Sequence, residues 1–342
     1  MSFTPDTAIT LYDVPTGAPL LFKNSKTAAS SFEQPLRDAF FEEHRRMALL
    51  VSYCGAAYAG SQFQKQGHRC LPTIEFHLRE AFKRLALKDI RLSMASRTDA
   101  GVHALGQVAH VRLSEQDSQR LNKIDNLQRA LNRYLPADIA IQAIAPWAHP
   151  QFHAQQTPKR RWYRYVIYNH SERHPLLAPY AHWEYSPLNI DTMQAAASVL
   201  VGSHVMSAFK GSPAEAAADS CHLEHLRVYC PAPRWIVVDL VANRFLYQMV
   251  RIIVGTLIEL AQTGRTTQRR SIWWRGSWQP SPNTIKPAEK MQQIMNVQNR
   301  QLAGKTAPAR GLTLLGIDYP PPFDYFKTHW CDLYTRDLLP LV

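Results

Sequence analysis

A polar turn between two alternating segments constrains the fold of this chain more than any other feature of its sequence. Residues 90–95 and 105–113 each alternate apolar and polar side chains, as a strand with one buried face does. The turn between them, residues 96–104, places Arg97 two positions before Asp99. The pattern predicts two neighbouring strands whose connection presents a carboxylate. On residue chemistry alone, the commoner role of such an aspartate is to bond its own backbone in the turn.

The order of the predicted elements indicates two α+β halves. In residues 47–150 the spacing of apolar residues predicts a strand at 48–53, a helix from Pro72, strands at 90–95 and 105–113, a helix near 127–135 and a strand at 139–141. In residues 151–320 it predicts a strand at 162–169, a helix at 190–201, strands at 223–229 and 235–241, and a helix at 245–262. The first half has the element order of a ferredoxin-like unit, and the second half repeats much of that order.

Three segments lie outside this pattern. We interpret residues 1–46 as an appended N-terminal arm and residues 321–342 as a C-terminal tail. Residues 265–300 form a predicted insertion that mixes basic and aromatic side chains. Its marked residues are Arg265, Arg269, Arg270, Trp273, Trp274, Arg275, Trp278 and Lys286. This mixture suits contacts with phosphates and unstacked bases, and it equally suits a surface loop anchored by its tryptophans.

Charge and composition narrow the class of partner. A formal net charge of +12 favours a polyanion, with nucleic acid first and an anionic membrane surface second. The apolar run at 252–258 is too short to span a bilayer, so no membrane partner is expected. The N-terminal region shows no secretory signal, and five widely spread cysteines are typical of a reduced, cytoplasmic protein.

Arg251 is the second constraint on function. Apolar residues 249, 250 and 252–254 flank it on all sides of the predicted helix, so this turn is expected to be buried. Burying a guanidinium without a partner costs on the order of several kcal/mol. The sequence therefore predicts an acid facing Arg251, with Asp99 as the main candidate and Asp239 or Asp318 as alternatives.

Four motifs carry a resemblance to a known family. Ser96-Arg97-Thr98-Asp99-Ala100-Gly101-Val102-His103-Ala104 resembles the signature around the catalytic aspartate of the TruA family of tRNA pseudouridine synthases, with Ser96 in place of the family's glycine. Residues 161–169 resemble the family's second motif, an Arg-rich strand with a tyrosine. Residues 243–255 resemble the third, and residues 303–312 the closing segment. The motifs occur in the family's order.

The resemblance implies a fold and an activity. The implied fold is the pseudouridine synthase fold, two ferredoxin-like halves whose sheets combine into one mostly antiparallel platform with a central catalytic cleft. The implied activity is that of a tRNA pseudouridine(38–40) synthase, an isomerase that acts on the anticodon stem-loop without cofactor or metal. A homodimer is also implied.

The resemblance further implies roles for particular residues. Asp99 would be the catalytic carboxylate, Arg251 would orient it, and Tyr163 would stack on the extruded uracil. The predicted RNA-binding residues are Arg97, Lys159, Arg160, Arg161 and Arg164. A basic cluster on a strand is more often simply a solvated face.

The chain departs from the family's pattern at three places. Cys54, Gln155 and the Val205-Met206 pair replace the family's Asp, Arg and Asp-Phe, which affects the expected RNA contacts.

The rival functions are a tRNA-binding and remodelling protein that has lost catalysis and, with less support, an aspartate-dependent hydrolase of a nucleotide-like anion. A zinc site is disfavoured because its four possible ligands lie along one predicted strand, at Cys221, His222, His225 and Cys230.

Overall fold

The computed structural model describes residues 45–85, 90–211, 219–262, 286–327 and residue 329. The strands in this part of the chain are β1 (Arg45–Tyr53), β2 (Lys65–Gln66), β3 (Arg69–Cys70), β4 (Arg91–Met94), β5 (His103–Leu113), β6 (Ile139–Ala148), β7 (Arg160–Asn169), β8 (His182–Glu184), β9 (Gly202–Val205), β10 (Ser220–Ala232), β11 (Trp235–Ala242) and β12 (Leu312–Asp318). The α-helices are α1 (Ile74–Arg84), α2 (Glu115–Asn122), α3 (Leu127–Asn132), α4 (Ile190–Ser198), α5 (Met249–Gln262) and α6 (Pro287–Val297).

One continuous sheet crosses both halves of the described chain. Its strand order is β6-β1-β5-β12-β7-β11-β10-β9, with β4 added to β5 and β8 added to β7. Strand β12 joins the halves, because Leu314 pairs with Ala104 of β5 in parallel and with Tyr163 of β7 in the antiparallel sense. Apart from β12–β5 and β7–β8, the strand pairs are antiparallel. This architecture confirms the predicted α+β fold with a combined, mostly antiparallel sheet.

Helix α1 shows how the sequence produces its local structure. The Thr73 hydroxyl accepts a hydrogen bond from the backbone N–H of Phe76, which satisfies one of the unpaired donors of the first turn. Ile74, Leu78 and Phe82, four residues apart, are fully buried, so one face of the helix packs into the core. The predicted helix from Pro72 is therefore present, beginning two residues later.

Three helices differ from the prediction. Helix α5 begins at Met249 rather than at residue 245, because Gln248 adopts a left-handed backbone with φ +58° that interrupts any helix through it. Part of the predicted insertion, residues 287–297, is helix α6, and its Met291, Ile294 and Met295 are buried at helical spacing. Helix α2 was not predicted.

Several predicted segments fall outside the described residues. Most of the N-terminal arm does so, and Arg45 and Arg46 at its predicted end belong to strand β1. The tryptophan-rich stretch of the insertion, residues 265–285, also lies outside, as does the tail beyond residue 329. Among the described helices, none is long and apolar enough to cross a membrane.

Candidate active site

Buried hydrogen bonds fix the loop that carries Asp99 between β4 and β5. The Ser61 backbone N–H donates to the carbonyl of Thr98 at 3.0 Å, and the Thr98 N–H donates to the Ser61 hydroxyl at 2.8 Å. The Thr98 and Tyr53 hydroxyls are 2.8 Å apart. Gln107 closes the loop from the other side, since its side chain accepts from Ser96 N at 3.1 Å and donates to Ser96 O at 2.7 Å. Asp99 therefore sits on a rigid support.

Two of the residues that support the loop, Ser61 and Gln107, were not predicted. Both are completely buried, although they are polar. A glutamine between the apolar residues of strand β5 was the available signal, because a buried amide requires hydrogen-bond partners. Ser61 gave no comparable signal, since its partner lies 37 residues away.

Asp99 and Arg251 form the predicted ion pair. Arg251 Nη1 lies 2.6 Å from Asp99 Oδ2. The two predicted alternatives bind other arginines: Asp239 pairs with Arg164, and Asp318 pairs with Arg160. The Arg251 side chain is 15 % exposed and that of Asp99 20 % exposed. The pair is more open than expected because Arg251 lies in the first turn of α5, rather than within a helix that extends four residues further.

Residues 303–311, which we call the strap, hold the other side of Arg251. Arg251 Nε donates to the carbonyl of Ala307 at 2.8 Å, and the Ala307 N–H donates to the carbonyl of Arg251 at 3.0 Å. The Gly304 N–H donates to the Thr256 hydroxyl at 2.9 Å. Gly255 makes this contact possible, since a Cβ there would lie 1.7 Å from the carbonyl oxygen of Lys305. Backbone packing thus aims the guanidinium at Asp99.

Tyr163 lies under the Asp99 loop on β7. Its hydroxyl is 2.8 Å from the Ser96 hydroxyl, and its ring meets Phe245 edge-on, with centroids 5.1 Å apart. Burial raises the pKa of Tyr163, the hydrogen bond with Ser96 opposes this, and the nearby charge of Asp99 adds to it. The residue is therefore a neutral phenol at physiological pH. The residue is 6 % exposed.

The predicted RNA-binding residues on β7 are divided between the two faces of the sheet. Arg161 shares the face of Tyr163, and its guanidinium donates to the carbonyls of Asn243 and Gln155. Arg160 and Arg164 lie on the opposite face. Arg164 donates to both carboxylate oxygens of Asp239, at 2.8 and 2.9 Å. Arg160 lies 3.1 Å from Asp318 and 3.2 Å from Glu224. Arg160 and Arg164 must therefore share their guanidinium groups with these acids in any contact with a phosphate.

The other two predicted RNA-binding residues are open to solvent. Arg97 lies beside Asp99 in the loop, and Lys159 precedes β7; both are exposed.

No metal centre is formed by the described residues. They contain no group of three or more His, Cys, Asp or Glu side chains that could hold a metal ion. On β10, Cys221 is buried and His222 is exposed, as expected for neighbours that point to opposite faces of a strand.

Comparisons with known proteins match most of this chain to one family. The family model described as "tRNA pseudouridine synthase" matches residues 49–155 and 196–320. A protein of Pseudoalteromonas atlantica called tRNA pseudouridine synthase A is 35 % identical over 293 residues, which cover 85 % of this chain and 99 % of that protein. A protein of the same name from Moorella thermoacetica is 36 % identical, over 80 % of this chain and 99 % of its own length.

Proposed function

The chain belongs to the tRNA pseudouridine synthase family, a family of isomerases, and we propose that it converts uridine to pseudouridine in tRNA with Asp99 as the catalytic carboxylate. The observation that carries this proposal is the 2.6 Å ion pair between Asp99 and Arg251. The loop that bears Asp99 also contacts Tyr163, through Ser96. A rigid loop presents the carboxylate, and a backbone-anchored guanidinium fixes its orientation. A catalytic group that is held in position before the substrate arrives lowers the barrier to the reaction.

The chemistry assigned to Asp99 is cleavage of the bond between the uracil N1 and the ribose C1′. One carboxylate oxygen is held by Arg251, and the other makes no hydrogen bond within the described part of the chain, which leaves it for the substrate. Asp99 acts either by bonding covalently to the sugar or by taking a sugar proton. The freed uracil then turns, C5 bonds to C1′, and C5 loses a proton while N1 gains one.

Tyr163 and Arg97 receive supporting roles at the extruded nucleotide. Tyr163 packs against the uracil through the small part of its surface that is exposed, and its hydroxyl is shared with Ser96. Arg97 is exposed next to Asp99 and is placed to contact a phosphate or to fill the space that the extruded base vacates. Extruding a base costs roughly a few kcal/mol, which phosphate contacts offset.

The finer proposal concerns substrate position, assembly and location. We assign the activity to positions 38–40 of the anticodon stem-loop because four motifs follow the TruA pattern. The same resemblance supports a homodimer. The net charge of +12 suits a tRNA partner, and the reduced-type cysteine usage suits the cytoplasm. The alternative of a tRNA-binding protein without activity is not favoured, because the matched relatives named above are called synthases.

Release of tritium from tRNA labelled at uracil C5 tests the activity. We expect release by the natural protein and none by Asp99→Ala, with tRNA affinity nearly unchanged. Asp125→Ala, an exposed aspartate before α3, is the matched control and should retain activity. Mapping the modified uridines then tests the assignment to positions 38–40. Unchanged turnover by Asp99→Ala would refute the catalytic role of this residue.

A further inference from the structure

A cavity of about 420 Å³ lies outside the catalytic cleft, at the end of β7. Tyr168 of β7 and Trp183 of β8, which pair across the two strands, form one wall, and Pro175 and Leu177 form another. Side chains alternate along a strand, so Tyr168 projects from the face of the sheet opposite to that of Tyr163. The cavity is therefore a separate site, within the size range of small-molecule and nucleotide pockets.

The side chains at this cavity suit a ligand that is both flat and negatively charged. Arg173 and Arg310 line it and are exposed, and the Arg173 guanidinium lies 4.7 Å from the centre of the Trp183 ring. The ring of His174 meets that of Tyr168 edge-on, 5.9 Å away. None of the described residues that line the cavity is acidic. Two guanidinium groups beside aromatic walls match the phosphate and the base of a nucleotide.

Packing contacts place the cavity near the Asp99 loop. Arg310 follows Ala309, whose Cβ lies 3.3 Å from the position that a Cβ would take on Gly101. The Cα atoms of Asp99 and Arg310 are therefore separated by no more than about 18 Å. His103 at the start of β5 donates from Nε2 to the carbonyl of Pro179 at 2.9 Å, and Pro179 follows Ala178 of the cavity lining. The two sites are therefore close enough for one large polynucleotide to contact both.

We infer that this cavity binds a second nucleotide of the tRNA, with an unstacked base against the Tyr168 and Trp183 wall and its phosphate between Arg173 and Arg310. The inference rests on the proposed function, since it takes tRNA as the substrate. A contact remote from the reacting sugar holds the substrate equally before and during the reaction. Its removal therefore raises KM for tRNA rather than lowering kcat.

The experiment measures binding of a tRNA transcript to Asp99→Ala protein, in which no turnover interferes. Arg173→Ala and Arg310→Ala should each weaken binding roughly tenfold, and each should reduce the slope of log Kd against log salt by about 0.7–0.9, the loss of one phosphate contact. In the active protein Arg173→Ala should raise KM for tRNA. Arg310→Ala is judged by binding alone, because Arg310 belongs to the strap that holds Arg251. Arg84→Ala, an exposed arginine at the end of α1, is the matched control and should change neither affinity nor slope.

The aromatic wall is tested separately. Trp183→Ala should weaken binding at least roughly fivefold, whereas Trp183→Phe, which keeps a stacking surface, should lose much less. The Trp183 indole also donates to the carbonyl of His170, so melting curves must show that both variants are folded. If Trp183→Ala does not fold, the variants of the exposed residues Arg173 and Arg310 still test the inference.

Each outcome separates this inference from the proposed function. Unchanged affinity and salt slope in both arginine variants, with pseudouridine still formed, would overturn the cavity assignment and leave the enzyme intact. A change of oligomeric state in Arg173→Glu at unchanged tRNA affinity would identify the cavity as a protein contact and overturn it too. Failure of the natural protein to form pseudouridine while the arginine variants still lose tRNA affinity would refute the function and retain the cavity.

Discussion

Replacing Gly255 with alanine tests whether the strap holds Arg251 in position. Inside a helix, alanine is normally favoured over glycine by about 1 kcal/mol, so helix propensity alone predicts a more stable protein. The structure predicts the opposite. The new Cβ would lie 1.7 Å from the carbonyl oxygen of Lys305, and real Cβ atoms stay more than 3.0 Å from such a neighbour. Because the obstacle is backbone, the strap itself must move away from α5.

The magnitude follows from what the strap loses. Overpacking of this kind costs about 1–3 kcal/mol. The two hydrogen bonds between Ala307 and Arg251 contribute about 1 kcal/mol each. After subtracting the gain in helix propensity, we expect Gly255→Ala to lower the free energy of unfolding by about 2–4 kcal/mol. Arg251 also loses its anchor, so kcat should fall by roughly tenfold or more, equivalent to about 1.4 kcal/mol of transition-state stabilisation.

Denaturant unfolding and tritium release from C5-labelled tRNA are the two assays. Ala195→Gly, on the exposed side of α4, measures the difference between the same two residues without a clash. It should cost about 1 kcal/mol and leave turnover unchanged. A Gly255→Ala protein that is as stable and as active as the natural one would show that the strap does not position Arg251.

Three further perturbations test the ion pair, the tyrosine and a buried histidine. Arg251→Ala should abolish most activity and lower the free energy of unfolding by about 1–3 kcal/mol, less than for a fully buried pair, and an unchanged melting curve would contradict this. Ser96→Gly should reduce kcat roughly two- to tenfold by removing the hydroxyl partner of Tyr163, and it should have no further effect in a Tyr163→Phe background. Burial lowers the pKa of His110 to about 3, with His153, Arg46 and Arg112 adding positive charge around it. Because the unfolded chain binds a proton below about pH 6.5, this histidine should cost about 2 kcal/mol of stability between pH 7 and 5. His110→Gln should lack that loss, and equal pH dependence in both proteins would contradict it.

Short-range patterns were sufficient for most of the fold. Alternation predicted the strands on both sides of Asp99, and helical spacing predicted α1 within two residues of its start. Helix α2 was missed because Leu121 is the single large apolar residue that it buries. Its sequence signal lay at its N-terminus, where the Ser114 hydroxyl accepts from Asp117 N at 3.1 Å. Caps therefore carry information that apolar periodicity cannot supply for an eight-residue helix.

The long-range arrangement was less accessible. The position of β12 between β5 and β7 depends on pairing across more than 140 residues, which no local pattern encodes. The start of α5 depended on the left-handed backbone of one residue, Gln248. A glutamine side chain does not predict that conformation. That detail moved Arg251 into the first turn and left the ion pair more open than the sequence indicated.

The ion pair itself was predictable because electrostatics penalises a lone charge regardless of its distance along the chain. Arg251 required an acid, and the resemblance of the motif around Asp99 to a catalytic signature singled out this one. The strap was not predictable in this way, because its hold on Arg251 uses the backbone of Ala307, and every residue has a carbonyl. What distinguishes position 307 is the close approach that Gly255 and Gly304 allow. A glycine shows in the sequence that backbones can meet, but only the fold shows which ones do. The orientation of the charge at Asp99 is therefore set by packing between two backbone segments, and substitutions of Gly255 or Gly304 should lower activity although neither side chain touches the substrate.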